Sequence, residues 1–177
     1  NTLAGLASFG LKTAVISKVK DDELGAIFKR DIGMCGVDFK GVTSSSGNPT
    51  GRCFVAISKE DADRTMSTYL GAAVYMCAED IDSKAIEQST ILYYEGYLLD
   101  KEGSKIALDK AIEVAHKHEH MVAMSLSDAR CVKQHRSQML KLIKDVEMLF
   151  ANEKEIKELF QTDSLDEALQ KTQELDN

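Results

Sequence analysis

Several features are missing from this chain, and each absence removes a class of protein. No apolar run approaches the roughly 20 residues that a bilayer-spanning helix needs, so no membrane partner is expected. The opening N-T-L-A-G-L-A-S-F-G has neither the basic start nor the cleavage pattern of a secretory leader, which points to a cytoplasmic protein. Cys35, Cys53, Cys77 and Cys131 are scattered with no C-x-x-C pair, as suits reduced and mostly buried thiols rather than zinc ligands or disulfides. There is one proline and no serine- or glycine-rich tract, hence no sign of a disordered linker. Positive charge is short: the net charge is -7, and a nucleic-acid surface needs a basic patch to neutralise phosphates. The sequence also contains no G-x-x-x-x-G-K-[ST] loop, no G-x-G-x-x-G after a strand and no G-x-S-x-G elbow. The common phosphate-loop and dinucleotide folds therefore lose support, and a small-molecule ligand held by other means is the better expectation.

What is present is an ordinary globular composition, 44% hydrophobic and 29% charged, on 177 residues. That length can bury about 70% of the unfolded surface, so residues 1–177 read as one domain. After Gly71 the pattern alternates: strand near 90–94, helix 104–117, strand 121–126, helix 132–144, strand 146–150, helix 153–160. The helix from Ser104 places Leu108, Ala111, Ile112 and Ala115 on one face, while the strands are almost continuously apolar, as strands covered on both sides must be. Right-handed βαβ units of this kind build an α/β fold on a mainly parallel sheet. Ahead of them lie a short helix over 2–9, a strand over 12–19 and a helix capped by Asp21 or Asp22. That helix has Leu24, Ile27, Phe28, Ile32 and Cys35 on one face and stops at Gly36. Residues 37–70 change character, with β segments at 37–42, 52–58 and 64–69 separated by polar turns such as S-S-S-G-N-P-T-G. They predict an antiparallel excursion from the parallel sheet, the natural place for a lid. A last helix from Ser164 carries a predicted capping box with Glu167.

Three strand-like runs end on polar residues. Residues 91–94 run into Glu95, residues 121–126 into Asp128, and V-E-M-L-F-A-N-E-K-E breaks into Asn152 and Glu155. In an open parallel sheet the carboxyl edge is where ligands bind. Each of these residues also has a plainer reading. Asn152 and Glu155 can hold a hydrated magnesium through its waters, or can be a helix N-cap with a first-turn acid. Glu95, in Y-Y-E-G-Y, can accept hydrogen bonds from ligand hydroxyls or be a solvated loop acid. Asp128, with Arg130 in S-L-S-D-A-R, can bind a polyol or phosphate or can cap the helix that follows. His116, His118 and His120 straddle a helix end and the next strand, so a favourable meeting with the helix dipole is preferred over a metal tract. His135 and Arg136 read as an exposed helical pair.

Together these residues resemble the PfkB (ribokinase-like) family of carbohydrate and nucleoside kinases, in its adenosine-kinase-like and sugar-kinase branch. N-T-L-A-G-L-A-S-F-G at 1–10 is similar to the latter part of the family's first signature. V-K-D-D-E-L-G at 19–25 is similar to its continuation, with Lys20 where glycine is usual. T-G-R-C-F-V-A-I at 50–57 with R-T-M-S-T-Y-L-G-A-A at 64–73 resembles the central β region, and L-F-A-N-E-K-E at 149–155 resembles the N-x-x-E motif. The likeness runs over nearly the whole chain. It implies a three-layer α/β/α sandwich with part of a small β lid, and transfer of the ATP γ-phosphoryl group to a primary hydroxyl of a sugar or nucleoside, with ATP and Mg2+. It also implies substrate contacts by Asn1, Thr50, Gly51, Glu95 and Asp128. Asn152 and Glu155 would organise phosphates and magnesium, Glu155 through water. The strand before Asn1 and the carboxyl-terminal G-A-G-D signature, which supplies the catalytic base, are not in this sequence. The expectation is an incomplete kinase domain, inactive by itself, that dimerises through the β lid. The alternative is a non-catalytic small-molecule-binding or regulatory module on the same fold.

Overall fold

In the computed structural model, which describes residues 1–176, the chain separates after Ala85 into two units, Asn1–Ala85 and Ile86–Asn177. The first unit opens with α1 (Thr2–Ser8), β1 (Thr13–Val15) and β2 (Lys18–Lys20), so the strand expected over 12–19 is two short strands broken at Ile16 and Ser17. After α2 (Glu23–Met34), β3 (Val37–Phe39) pairs parallel with β1, and β4 (Val42–Ser44) pairs parallel with β2. Residues 37–42, expected in the antiparallel excursion, therefore belong to parallel ladders instead. The reason lies at Gly41, where a Cβ would stand 1.9 Å from the Ser17 carbonyl oxygen. Only glycine lets the chain cross Ser17 this closely, and Val42 N–H then donates to that same carbonyl at 2.9 Å.

The cap of α2 is Asp22, whose Oδ1 accepts from Gly25 N–H at 2.8 Å, and its end is Cys35 followed by Gly36 at φ +81. The predicted apolar face of this helix is weakly covered: Gly25 is its one buried residue, and Leu24 and Phe28 are exposed. Next comes an antiparallel hairpin, β5 (Arg52–Ile57) and β6 (Arg64–Tyr69), paired from Arg52↔Tyr69 to Ile57↔Arg64. Every residue of both strands is exposed. Antiparallel pairing in this part of the chain is thus found over 52–69. Two 3-10 turns, Gly71–Tyr75 and Ala78–Asp80, complete the unit. Asp80 is buried there against Lys18 Nζ at 2.8 Å and Cys77 N–H at 2.9 Å.

A short helix α3 (Ser83–Glu87) leads into regular alternation: β7 (Ile91–Glu95), α4 (Glu102–Lys117), β8 (Met121–Ser125), α5 (Ala129–Leu142), β9 (Met148–Phe150), α6 (Glu153–Phe160) and α7 (Leu165–Gln173). The three strands form one parallel sheet in the order β7-β8-β9. Here the apolar periodicity is honoured. Leu108, Ala111, Ile112 and Ala115 of α4 are buried, as are Val122, Ala123 and Met124 of β8. Leu99, Leu126, Val132, Met139 and Leu159 are fully enclosed, each stabilising the fold by about 1.5–3 kcal/mol relative to exposure. At α7, Ser164 Oγ accepts from Glu167 N–H at 3.3 Å, but the Glu167 carboxylate turns to Thr162 and Lys171, so half of the predicted capping box forms. Among the described residues no helix is long and apolar enough to cross a membrane.

Candidate functional site at the sheet edge

Parallel register brings the ends of β7, β8 and β9 level, with Glu95 beside Ser125 and Ser125 beside Phe150. The polar residues then leave this carboxyl edge in a row, as the sequence pattern requires. Gly96 follows Glu95 because nothing larger fits: a Cβ there would lie 2.6 Å from Met139 Cε and 3.0 Å from the Leu126 carbonyl oxygen. The chain can therefore turn tightly and carry Tyr97 back over the edge. Glu95 itself is exposed, with the Tyr93 hydroxyl 3.4 Å from its Oε1.

Asp128 does two things at once. Its Oδ1 accepts from Cys131 N–H at 2.8 Å, capping α5, and its Oδ2 accepts from the Tyr97 hydroxyl at 2.8 Å. Burial alone would raise its pKa, but the Cys131 N–H, the Tyr97 hydroxyl and Arg130 outweigh burial and hold the carboxyl below its ordinary value of 3.8. Burial, followed by the bond to Asp128, pushes the Tyr97 phenol upward, so it stays a neutral donor. Cys131, enclosed behind this edge, is pushed up to about 12 by burial and by the Asp100, Asp128 and Glu155 carboxylates. A thiol held that high is no nucleophile at neutral pH.

Asn152 and Glu155 take the form of the plainer sequence reading, a helix N-cap with a first-turn acid. Asn152 Oδ1 accepts from Glu155 N–H at 3.0 Å, while Glu155 Oε2 accepts from Asn152 N–H at 3.0 Å and Oε1 from Asn152 Nδ2 at 2.6 Å. This is a reciprocal capping box on α6. It leaves Glu155 only 6% exposed yet fixed beside an open cleft of about 600 Å³ lined by Asn152, Glu153, Lys154 and Lys157. A second recess of about 390 Å³, lined by His116, Glu119, His120, Met121 and Glu147, lies at the other, amino-terminal end of β8. The carboxyl edge is the better ligand site on topological grounds.

Asn1, Thr50 and Gly51 belong to the first unit. Asn1 is exposed ahead of α1 and makes no side-chain cap bond. Thr50 is buried, its hydroxyl donating to Asp22 Oδ1 at 2.6 Å and accepting from Lys20 N–H at 2.9 Å, while its own N–H donates to Asp22 Oδ2 at 2.9 Å. These bonds from Thr50, its side chain first and then its backbone, hold the Asp22 pKa down. Gly51 passes so near Leu70 that a Cβ would stand 2.6 Å from its carbonyl oxygen.

The histidine readings divide. His116 is in the last turn of α4, where its Nε2 lies 3.2 Å from the Asp145 carbonyl oxygen, and His120 Nε2 lies 3.1 Å from that of Glu87. His135 and Arg136 are not an exposed pair. The His135 side chain is 11% exposed and bound to Asp100 at 2.8 Å, at a kink within α5, and Arg136 Nε donates to the Leu159 carbonyl at 2.7 Å. Sequence reasoning also missed Tyr97, whose partner lies 31 residues away, and Asp22, for which D-D before a helix signalled only a cap.

Known proteins are similar to this chain in sequence and fold. The chain is 32% identical over 129 residues to the 5-dehydro-2-deoxygluconokinase of Geobacillus kaustophilus (strain HTA426), a match covering 71% of this chain and 38% of that protein. The crystal structure of adenosine kinase from Sinorhizobium meliloti is 40% identical, with a TM-score of 0.90, covering 96% of this chain and 52% of that one. At 18% identity the fold alone is shared with a ribokinase-type protein of E. coli solved with ATP and Mg2+, at a TM-score of 0.85 over 97% of this chain and 56% of that one. The chain thus spans well under two thirds of the length of these relatives. Residues 1–177 match the family model of the pfkB carbohydrate kinases from end to end, and with this ribokinase-like α/β fold the chain belongs to that family.

Proposed function

We propose that these residues are part of an ATP-dependent phosphotransferase that moves the γ-phosphoryl group to a primary hydroxyl of a small sugar or nucleoside. The observation that best supports this is the row of Glu95, Asp128, Asn152 and Glu155 along the carboxyl edge of a parallel sheet, in a chain of this family. Phosphoryl transfer asks for in-line positioning and charge neutralisation rather than covalent work. In this reading Glu95 and Asp128 accept hydrogen bonds from acceptor hydroxyls. Asn1 is a further acceptor contact. Thr50 and Gly51, pinned by Asp22 and by the close pass at Leu70, anchor the backbone from which the hairpin β5–β6 rises as a lid.

Glu155 fits a magnesium ion only through water. It is 6% exposed, and each of its oxygens already accepts a hydrogen bond from Asn152, leaving room for a metal-bound water rather than direct ligation. Bound there, the ion would neutralise charge on the ATP phosphates. In this reading none of these residues is the base for the acceptor hydroxyl, and the 177-residue chain alone is expected to be inactive. In this reading the reaction takes place in the cytoplasm. The hairpin's free strand edges favour pairing with a second copy, and a strict monomer in sedimentation at high concentration would remove that part of the reading.

The test is ADP release by the gene's complete product with D-ribose, adenosine and 5-dehydro-2-deoxygluconate, in the presence of ATP and Mg2+. Turnover of at least one acceptor above the ATP-only rate is expected. No turnover of any of these or of a wider sugar and nucleoside panel overturns the kinase reading, and turnover by residues 1–177 alone overturns the expected inactivity.

A further inference from the structure

Ser127 sits between two residues of the candidate site, and its geometry is unusual in two independent ways. Its backbone has φ +74, a left-handed value that serine seldom adopts, and Asp128 N–H donates across it to the Leu126 carbonyl at 3.0 Å. That i→i+2 bond with positive φ makes Ser127 the centre of the strained form of γ-turn, rare for any residue with a side chain. In addition its Oγ is shielded from solvent and has no hydrogen-bond partner. Its neighbours are all provided for. Leu126 N–H donates to the Phe150 carbonyl at 3.0 Å, and Ser127 N–H to Ser125 Oγ at 3.2 Å. Among the described residues, the buried side-chain group left without a partner at this corner is the Ser127 hydroxyl.

Glycine would hold this turn without strain and would bury no orphan hydroxyl. Serine brings both penalties, and nothing within the fold compensates them. Strain and unpaired polar atoms of this kind concentrate where a ligand supplies what is missing. The residue is only half-buried as a whole. Rotating about χ1 breaks no hydrogen bond of this hydroxyl, which belongs to the carboxyl edge that carries Glu95 and Asp128. The charge there selects the ligand group. Asp128 is held ionised beside it and Glu95 stands on the neighbouring strand end, so a neutral hydroxyl is favoured over an anionic phosphate oxygen.

We propose that Ser127 is a specificity-determining contact, its hydroxyl swinging out of the buried rotamer to hydrogen-bond a neutral hydroxyl of the acceptor. This rests on the kinase reading above and adds a residue to it. The test uses the complete gene product, with Ser127→Ala and Ser127→Gly assayed on the acceptor that the wild type phosphorylates and on its deoxy analogues. Both variants are expected to raise the acceptor KM about tenfold, the scale of one lost hydrogen bond, with the KM for ATP within about twofold of wild type. For the one deoxy analogue lacking the contacted hydroxyl, the variants and wild type should become equal. The urea midpoint should rise in Ser127→Gly, which relieves the turn, so a loss of acceptor affinity there is not a loss of fold. If Ser127→Ala misfolds, the glycine variant decides alone. An unchanged acceptor KM in a working enzyme, or an equal loss for ATP, overturns this proposal and leaves the kinase reading standing. A wild type that phosphorylates no acceptor overturns both.

Discussion

The two units solve the same problem with different means. In the second, βαβ alternation buries a continuous apolar set from Ile86 to Ala168, with Leu99, Val122, Met124, Leu126, Val132, Met139 and Leu159 fully enclosed. In the first, the buried apolar residues are Val19, Val37, Ala72 and Met76, while Phe9, Met34, Phe54 and Ile57 are 84%, 80%, 73% and 69% exposed. The first unit relies instead on polar clamps. Asp22 gathers Thr50 and Gly25, and Asp80 gathers Lys18 and Cys77. A fold of hydrogen bonds and tight glycines is defined in geometry but modest in energy, because each such bond contributes only about 1 kcal/mol net, against several for an enclosed side chain.

The sharpest way to break this contrast is a matched truncation in each unit. Leu99→Ala should cost about 2–5 kcal/mol in urea unfolding, since it empties an enclosed site. Phe54→Ala, on the open hairpin, should stay within about 0.5 kcal/mol. Equal losses would mean that the hairpin is packed in solution after all. Next in size comes Glu155→Ala, which removes a buried carboxylate bound twice by Asn152 and should cost about 2 kcal/mol. A loss no larger than an exposed helix substitution would show that the capping box does not hold α6.

Acid should separate the units further. Asp80 is pulled below its ordinary 3.8: burial opposes this, but Lys18 and the two Cys77 groups prevail. Asp22 is lowered as well, chiefly by Thr50. A carboxyl depressed in the fold adds stability that is complete above its unfolded pKa and is lost as pH falls through the folded value. Below about pH 4 the first unit, with few enclosed residues to fall back on, should therefore lose amide protection before the second in hydrogen exchange, and Asp80→Asn should flatten part of that dependence. Amides of β7 to β9 exchanging first would reverse the comparison. The smallest effect expected is a gain. The Tyr94 hydroxyl is buried without a partner, its pKa raised by burial and then by Asp145 and Asp109, so Tyr94→Phe should leave stability unchanged or raise it by up to about 1 kcal/mol.

Much of the second unit was legible because its signals are short-range. The run of apolar residues in M-V-A-M-S, the face of α4 and the caps at Asp128 and Asn152 all act within a few residues of themselves. The carboxyl-edge row followed from them by parallel topology alone. Less could be read in the first unit. The break at Ile16 and Ser17 depends on Gly41 crossing a strand 24 positions earlier. The pairing of residues 37–44 with parallel rather than antiparallel partners depends on that crossing. At the site, Tyr97 meets Asp128 only after β7 and β8 have paired, and nothing in S-L-S-D announces a left-handed serine.

By itself the sequence determined the order and type of most elements of the second unit, which strands carry polar residues at their carboxyl ends, and the likeness that placed the chain in its family. These depend on residue periodicity and on side chains that reach three or four positions along the backbone. Tertiary structure alone decided which apolar faces are covered, where His135 and Arg136 find Asp100 and Leu159, and which hydroxyl at the edge is left without a partner. Burial and hydrogen-bond satisfaction are properties of neighbours brought together from distant parts of the chain, and only folding assembles them.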